Sequence, residues 1–176
     1  TVIAGKNKKN SDIIKVLRGP KGSKVKLDVK RAGVAEPIEF TLTRADIPIY
    51  SVDDTYMVND SIGYIRVSRF AEKTADEVAE AMLKLRRKGM RHLILDLEDN
   101  GGGYLGAAVE LASQFLPQGA PVVSTRGLHS EPMTFEVTTR GGDTGRRLVV
   151  MVNQYSASAS EILAGALQDN DRGLVV

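Results

Sequence analysis

The chain contains no cysteine and no tryptophan. Without thiols it has no disulfide staple, no thiolate metal ligand and no cysteine nucleophile. Histidine is scarce too: His92 and His129 each stand alone, which argues against a histidine-built metal site. Aromatic residues make up only 5% of the sequence, and Phe40 is the sole one before Tyr50. A nucleic-acid surface would want stacking rings among its basic residues, so no nucleic-acid partner is expected. No run approaches the roughly 18 apolar residues that span a bilayer. No leader-like segment is visible, and the chain opens at Thr1 rather than Met, which reads as a mature or excised piece of something longer.

What is present suffices for a core. The 176 residues are 42% hydrophobic and 26% charged, enough for one compact domain or a small module joined to a medium one. The net charge of +2 conceals an asymmetry. Residues 1–45 hold 11 Lys/Arg against 4 Asp/Glu, whereas residues 46–176 hold 13 against 18. Such a split marks two modules or a basic face, here read as a solvated lysine-rich surface.

The first module is legible from periodicity. Ser11 is placed to cap a short helix carrying Ile13, Ile14, Val16 and Leu17, and Gly19-Pro20 stops it. Val25, Leu27 and Val29 alternate with lysines, as do Ile38, Phe40 and Leu42 with Glu39 and Thr41, so a hairpin is expected. One helix and two strands make too thin a core to stand alone. Asp46 to Asp60, with Pro48, reads as a connector.

From Ser61 strands and helices alternate. Ile62–Val67 reads as a strand, and Thr74-Ala-Asp-Glu77 as a capping box opening a helix that ends at Gly89. HLILDL (92–97) and LVVMV (148–152) read as strands buried on both faces. A helix running through Leu105, Ala108, Val109, Ala112, Phe115 and Leu116 separates them, with a short strand at Pro121–Ser124 and an edge hairpin around Met133–Val137. A helix with Ile162, Leu163, Ala166 and Leu167 and a last strand from Gly173 follow. This pattern argues for an α/β layer with right-handed crossovers.

Two segments join a strand, an abrupt turn and a helix start: 97–105 and 151–161. Ligands of open α/β sheets gather at the carboxyl ends of strands. Asn100-Gly-Gly-Gly103 exposes backbone amides there, suited to a phosphate or an oxyanion, although a tight turn needs the same glycines. Asn153-Gln-Tyr-Ser-Ala-Ser-Ala-Ser-Glu161 sets hydroxyls among small residues. That suits a serine nucleophile on an α/β fold, and it also suits helix capping.

The strings LILDLEDNGGG and NQYSASASEILAGALQDNDRG resemble the C-terminal processing (tail-specific) serine proteases. SDIIKVLRGPKGSKVKLDVKRAG is similar to the last helix and strands of the PDZ domain of those enzymes, and IGYIRVSRFAEKT to the first core strand. The resemblance implies a crotonase/Clp-protease-like α/β catalytic core over residues 46–176, preceded over residues 1–45 by part of a PDZ module. It implies an endopeptidase cutting near the C-terminal tails of protein substrates, with a serine–lysine dyad and no metal or organic cofactor. The nucleophile falls on Ser158, and the oxyanion amides on Ala159 and Gly103, with Gly102 as alternative to the latter. Ser156 and Ser160 become supporting hydroxyls. Glu98 departs from the family, where arginine is usual. The base is a lysine downstream, beyond Val176, while the last lysine here is Lys88. The chain alone is therefore expected to be inactive, since an unaided serine hydroxyl is a poor nucleophile.

Further implications of the resemblance are a bacterial cell-envelope location (periplasmic or extracytoplasmic) or its plastid equivalent, peripheral membrane association and homo-oligomer formation. Two competing readings are a non-catalytic peptide-binding or scaffolding homologue, and a crotonase-like acyl-CoA enzyme. SASASE argues against the latter, whose chemistry needs no serine there. His129 and His92 read as surface and structural residues.

Overall fold

The computed structural model describes residues 7–46, 49–139, 142–143 and 145–176. Pro48, expected in the connector, lies outside them. The chain divides into two units, Thr1–Ile49 and Tyr50–Val176.

In the first unit, α1 (Asn10–Leu17) is followed by an antiparallel hairpin of β1 (Lys24–Val29) and β2 (Ile38–Thr43). The register pairs Val25 with Leu42, Leu27 with Phe40 and Val29 with Ile38, so the apolar alternation of both strands falls on one face. Arg44 staples the unit, donating from Nε to Leu17 O (2.8 Å) and from Nη1 to Ser23 Oγ (2.9 Å) and Lys24 O (3.1 Å). No α1 residue is buried, and an apolar groove lined by Ile14, Leu17, Val25, Leu27 and Leu42 stays open. The expected Ser11 cap is not made: Lys9 occupies the cap position and no side chain bonds there.

The second unit is built on one five-stranded sheet of order β3-β4-β5-β8-β9. Strands β4 (Ile62–Val67), β5 (His92–Asp96), β8 (Arg147–Met151) and β9 (Leu174–Val175) run parallel, and β3 (Val52–Met57) adds an antiparallel edge. The expected connector thus holds a strand, its apolar signal interrupted by Asp53 and Asp54, where the register also shifts. Helices α2 (Thr74–Arg87), α3 (Leu105–Ala112) and α4 (Ala159–Asp169) connect the parallel strands. A separate ribbon, β6 (Pro121–Gly127) with β7 (Ser130–Glu136), leaves the layer as an antiparallel hairpin longer than expected.

The parallel strands β4, β5, β8 and β9 follow one another across the sheet in chain order, and the helices share one face. There Ile65, Val67, Leu93, Leu95 and Val150 pack into one core with Val78, Leu85, Leu111, Leu163 and Leu167. The other face keeps Tyr64, Ile94 and Val149 only half-buried. The expectation that β5 and β8 are covered on both sides is corrected accordingly. Helix α3 also ends a turn earlier than its apolar pattern suggests. Leu116 precedes Pro117, which disfavours helical backbone, and Phe115 and Leu116 reach the core from the turn that follows.

The capping box expected at Thr74 is not formed, because both side chains have tertiary partners. The Thr74 hydroxyl accepts the Ala71 N–H (2.8 Å) and donates to Ser51 Oγ (2.6 Å). Glu77 accepts the N–H groups of Ser51 (2.7 Å) and Val52 (3.0 Å), fastening the start of β3 to α2.

Candidate active site

At the carboxyl end of β5 the chain breaks into Leu97–Tyr104. Asp99 takes a left-handed φ of 61°, and Gly102 and Gly103 follow with φ of 95° and 151°. Asn100 is fully buried and holds this turn together. Its Nδ2 donates to Val67 O at the end of β4 (2.7 Å), and its Oδ1 accepts the Gly102 N–H (2.9 Å). Phe70 fixes the far side, donating its N–H to Gly102 O (3.0 Å) and accepting the Tyr104 N–H (3.0 Å). A Cβ at Gly103 would stand 2.0 Å from Phe70 O. Only glycine fits that approach.

The segment after β8 meets this turn directly. Ala157 N–H donates to Asn100 O (3.1 Å), as does the buried Ser160 hydroxyl (2.8 Å). The Ser156 hydroxyl donates to Leu97 O (2.8 Å) and accepts the Asn153 N–H (3.0 Å). Asn153 in turn accepts the Asp99 N–H (3.1 Å) and donates to Asp99 Oδ1 (3.0 Å). A Cβ on Gly102 would lie 2.8 Å from Ser158 Cβ and 2.7 Å from Ala157 O. The glycine turn and the serine segment are therefore one packed site.

Ser158 stands at the N-cap of α4 with φ 56° and ψ −113°, a conformation that L-residues with side chains rarely hold. Strained backbone of this kind is retained where surrounding contacts over-determine it, and it concentrates at functional sites. Ser158 is exposed, while Ala159 and Ser160 beside it are buried. Its own N–H donates to Glu161 Oε2 (2.7 Å). The two residues make a capping box that is tight on the Glu161 side, while the reciprocal arm, from Glu161 N–H to the Ser158 hydroxyl, falls short of a proper hydrogen bond.

Amide donors sort themselves at this point. The Gly102 N–H is occupied by Asn100, and that of Ser158 by Glu161. Among the described residues the N–H groups of Gly103 and Ala159 donate to nothing. Ala159 opens α4, where the helix dipole adds positive potential. A hydroxyl near amides free to donate is what acyl transfer to a polarised carbonyl requires.

Beneath the turn lies a network that the sequence did not announce. The buried Asp96 carboxylate accepts the Tyr64 hydroxyl and the Glu98 N–H (2.8 Å) and faces Arg66 Nη1 at 3.6 Å. Burial and the Asp96 charge push the Tyr64 phenol up to about 12. The same carboxylate raises the Arg66 guanidinium. Arg66 also reaches Glu98 O (3.4 Å) and Asp99 Oδ2 (3.5 Å). Among the described residues no cation pairs with the Glu98 carboxylate. A tyrosine and an arginine alternating with apolar residues in IGYIRV was the available signal, since such side chains share the face opposite the core.

His92 sits at the opposite end of β5 from the glycine turn, and His129 lies in the β6–β7 turn. Lys88 ends α2 next to the start of β5, also away from Ser158. Among the described residues no group of His, Asp and Glu could hold a metal ion, and no helix is long and apolar enough to cross a membrane.

Comparison with known proteins identifies the family of the chain. The model of peptidase family S41 matches residues 61–176. A carboxyl-terminal-processing protease of Synechocystis sp. is 44% identical over 165 residues, covering 91% of this chain and 38% of that protein. The carboxy-terminal processing protease CtpB of Bacillus subtilis is 33% identical, with 95% of this chain and 35% of that protein covered. Among solved structures, the photosystem II D1 C-terminal processing protease superposes with a TM-score of 0.64 at 29% identity, covering 93% of this chain and 46% of that one. This chain spans less than half the length of each.

Proposed function

The chain belongs to peptidase family S41, and on that premise we propose that its parent protein is a serine endopeptidase that processes the C-terminal tails of other proteins. The observation that carries this reading is Ser158, held at a positive φ on a strand–turn–helix junction and packed on Gly102. The Ser158 hydroxyl attacks the scissile carbonyl. The amides of Ala159 and Gly103 receive the oxyanion, the hydroxyl proton passes through the general base to the amine as the C–N bond breaks, and water then releases the acyl group from Ser158 as a free acid. Gly103 is favoured over Gly102 because the Gly102 N–H is already donated to Asn100.

The hydroxyl needs a base. The family resemblance assigns that role to a lysine, and none follows Lys88 in these 176 residues. On this reading the lysine comes from elsewhere in the parent, its pKa lowered by burial, and the chain alone hydrolyses no peptide at a measurable rate. We assign residues 1–45 to the C-terminal part of a PDZ module, supported by the helix-then-hairpin order and the apolar groove between them. The same resemblance carries the proposal of an extracytoplasmic location in the bacterial envelope.

The test uses the full-length parent and a protein substrate with a free tail. Ser158→Ala is expected to lower kcat by several orders of magnitude, on the order of 10⁴ or more, with the circular dichroism spectrum unchanged. Retention of more than a tenth of the activity would exclude Ser158 as nucleophile.

A further inference from the structure

The two segments of the site are joined inside by Asn100 and at the rim by a second link with no assigned role. Asn153 lies five residues before Ser158, and Asp99 four before Gly103. Asn153 Oδ1 accepts two backbone N–H groups, from Asp99 (3.1 Å) and from Tyr155 (3.0 Å). An amide oxygen is the only atom of that side chain able to do so, which fixes Nδ2 as the donor to Asp99 Oδ1 at 3.0 Å. The result is a closed ring of two hydrogen bonds between one side chain on the serine segment and one residue on the glycine segment. Asp99 enters it with a left-handed φ of 61°, a conformation that aspartate tolerates better than most residues. Arg66 Nη2, 3.5 Å from Asp99 Oδ2, braces the ring from the sheet.

We propose that Asp99 and Asn153 are positioning residues, a clasp across the rim that sets the separation between the Ser158 hydroxyl and the amide of Gly103. This rests on the serine-peptidase reading above. Neither side chain needs to touch the substrate. Their work is geometric: small misplacements of a nucleophile relative to oxyanion donors cost large factors in rate, because the reacting atoms must be aligned when charge develops. Ground-state binding of a peptide depends much less on that separation, so loss of the clasp falls on kcat rather than KM.

The chemistry of the ring allows a test by exchange. Asn153→Asp removes the Nδ2 donor and sets a carboxylate against Asp99. Adding Asp99→Asn restores the side-chain bond with its polarity reversed: the new amide at position 99 donates to one carboxylate oxygen at 153, while the other oxygen accepts the backbone N–H groups as before. In the full-length parent, with a fluorogenic peptide that the unmodified protein cleaves, Asn153→Asp is expected to lower kcat about tenfold to a hundredfold with KM within about twofold. The exchanged double variant should recover to within about threefold of the unmodified kcat.

The rate at which a fluorophosphonate labels Ser158 should fall and recover in parallel. An Asn153→Asp variant with kcat within twofold of the unmodified protein would overturn the proposal. So would a folded double variant that stays as slow as the single one, a comparison that holds even if the single variant folds poorly. If Ser158→Ala itself retains cleavage, the peptidase reading fails instead.

Discussion

Adjacent glycines in the turn at Gly101-Gly102-Gly103 offer a sharp discrimination between backbone strain and simple turn propensity. A Cβ added at Gly101 meets open space, whereas one at Gly102 lies 2.7 Å from Ala157 O, 2.8 Å from Ala159 N and 2.8 Å from Ser158 Cβ. Two of those obstacles are backbone atoms of the serine segment and cannot swing aside. The residue at 102 also holds φ +95°, which costs a side-chain-bearing residue roughly 1–2 kcal/mol. Overpacking against backbone adds about 1–3 kcal/mol more. Gly102→Ala is therefore expected to destabilise the chain by about 2–5 kcal/mol, and Gly101→Ala by less than about 0.5 kcal/mol.

For a unit of this size 1 kcal/mol shifts Tm by roughly 3–5 °C, so Gly102→Ala should melt on the order of 10 °C earlier in a circular-dichroism scan. Gly103→Ala, with Phe70 O only 2.0 Å away, should be at least as severe. Equal melting temperatures for the Gly101 and Gly102 variants would show that the turn relaxes freely. The contact between the glycine and serine segments would then impose no such constraint.

Two further outcomes follow from the buried polar groups. Asn100→Ala leaves Val67 O and the Gly102 N–H without partners inside the protein, and should cost about 2–4 kcal/mol in urea unfolding, where an exposed asparagine would cost a few tenths. Burial and the Asp96 carboxylate hold the Tyr64 phenol up at about 12, above the 10.0 of a free phenol, because they favour its neutral form. A raised folded pKa means that its contribution to stability is complete below pH 10 and is lost as the pH climbs to about 12. Ultraviolet difference titration should show a late phenolate component near pH 12 that Tyr64→Phe abolishes.

Much of the architecture was legible because periodicity reports burial directly. Ile62–Val67 alternates, the run of Val78, Met82 and Leu85 repeats at helical spacing, and the hairpin of β1 and β2 pairs the very residues that alternate. What escaped is what depends on distant partners. Strand β3 was hidden by Asp53 and Asp54 and exists because Glu77 on α2 captures its first amides. The same capture takes Glu77 away from its own helix, as Ser51 Oγ and the Ala71 N–H take the Thr74 hydroxyl.

At the site, the sequence marked the glycines and the serines but not the backbone that joins them. The positive φ at Ser158 accompanies the packing of two loops on each other, and no local propensity of serine encodes it. The roles of Asn100 and Asn153 were equally invisible, since an asparagine near a turn is ordinary until its partners are seen.

Loops that carry reacting groups often move independently, but here several separate bonds couple them: Ala157 N–H and the Ser160 hydroxyl to Asn100 O, the Ser156 hydroxyl to Leu97 O, and Asn153 to Asp99. At about 1 kcal/mol apiece these bonds make separation of the two loops a rare event. Displacing one loop therefore displaces the other, and the platform answers a perturbation as one body.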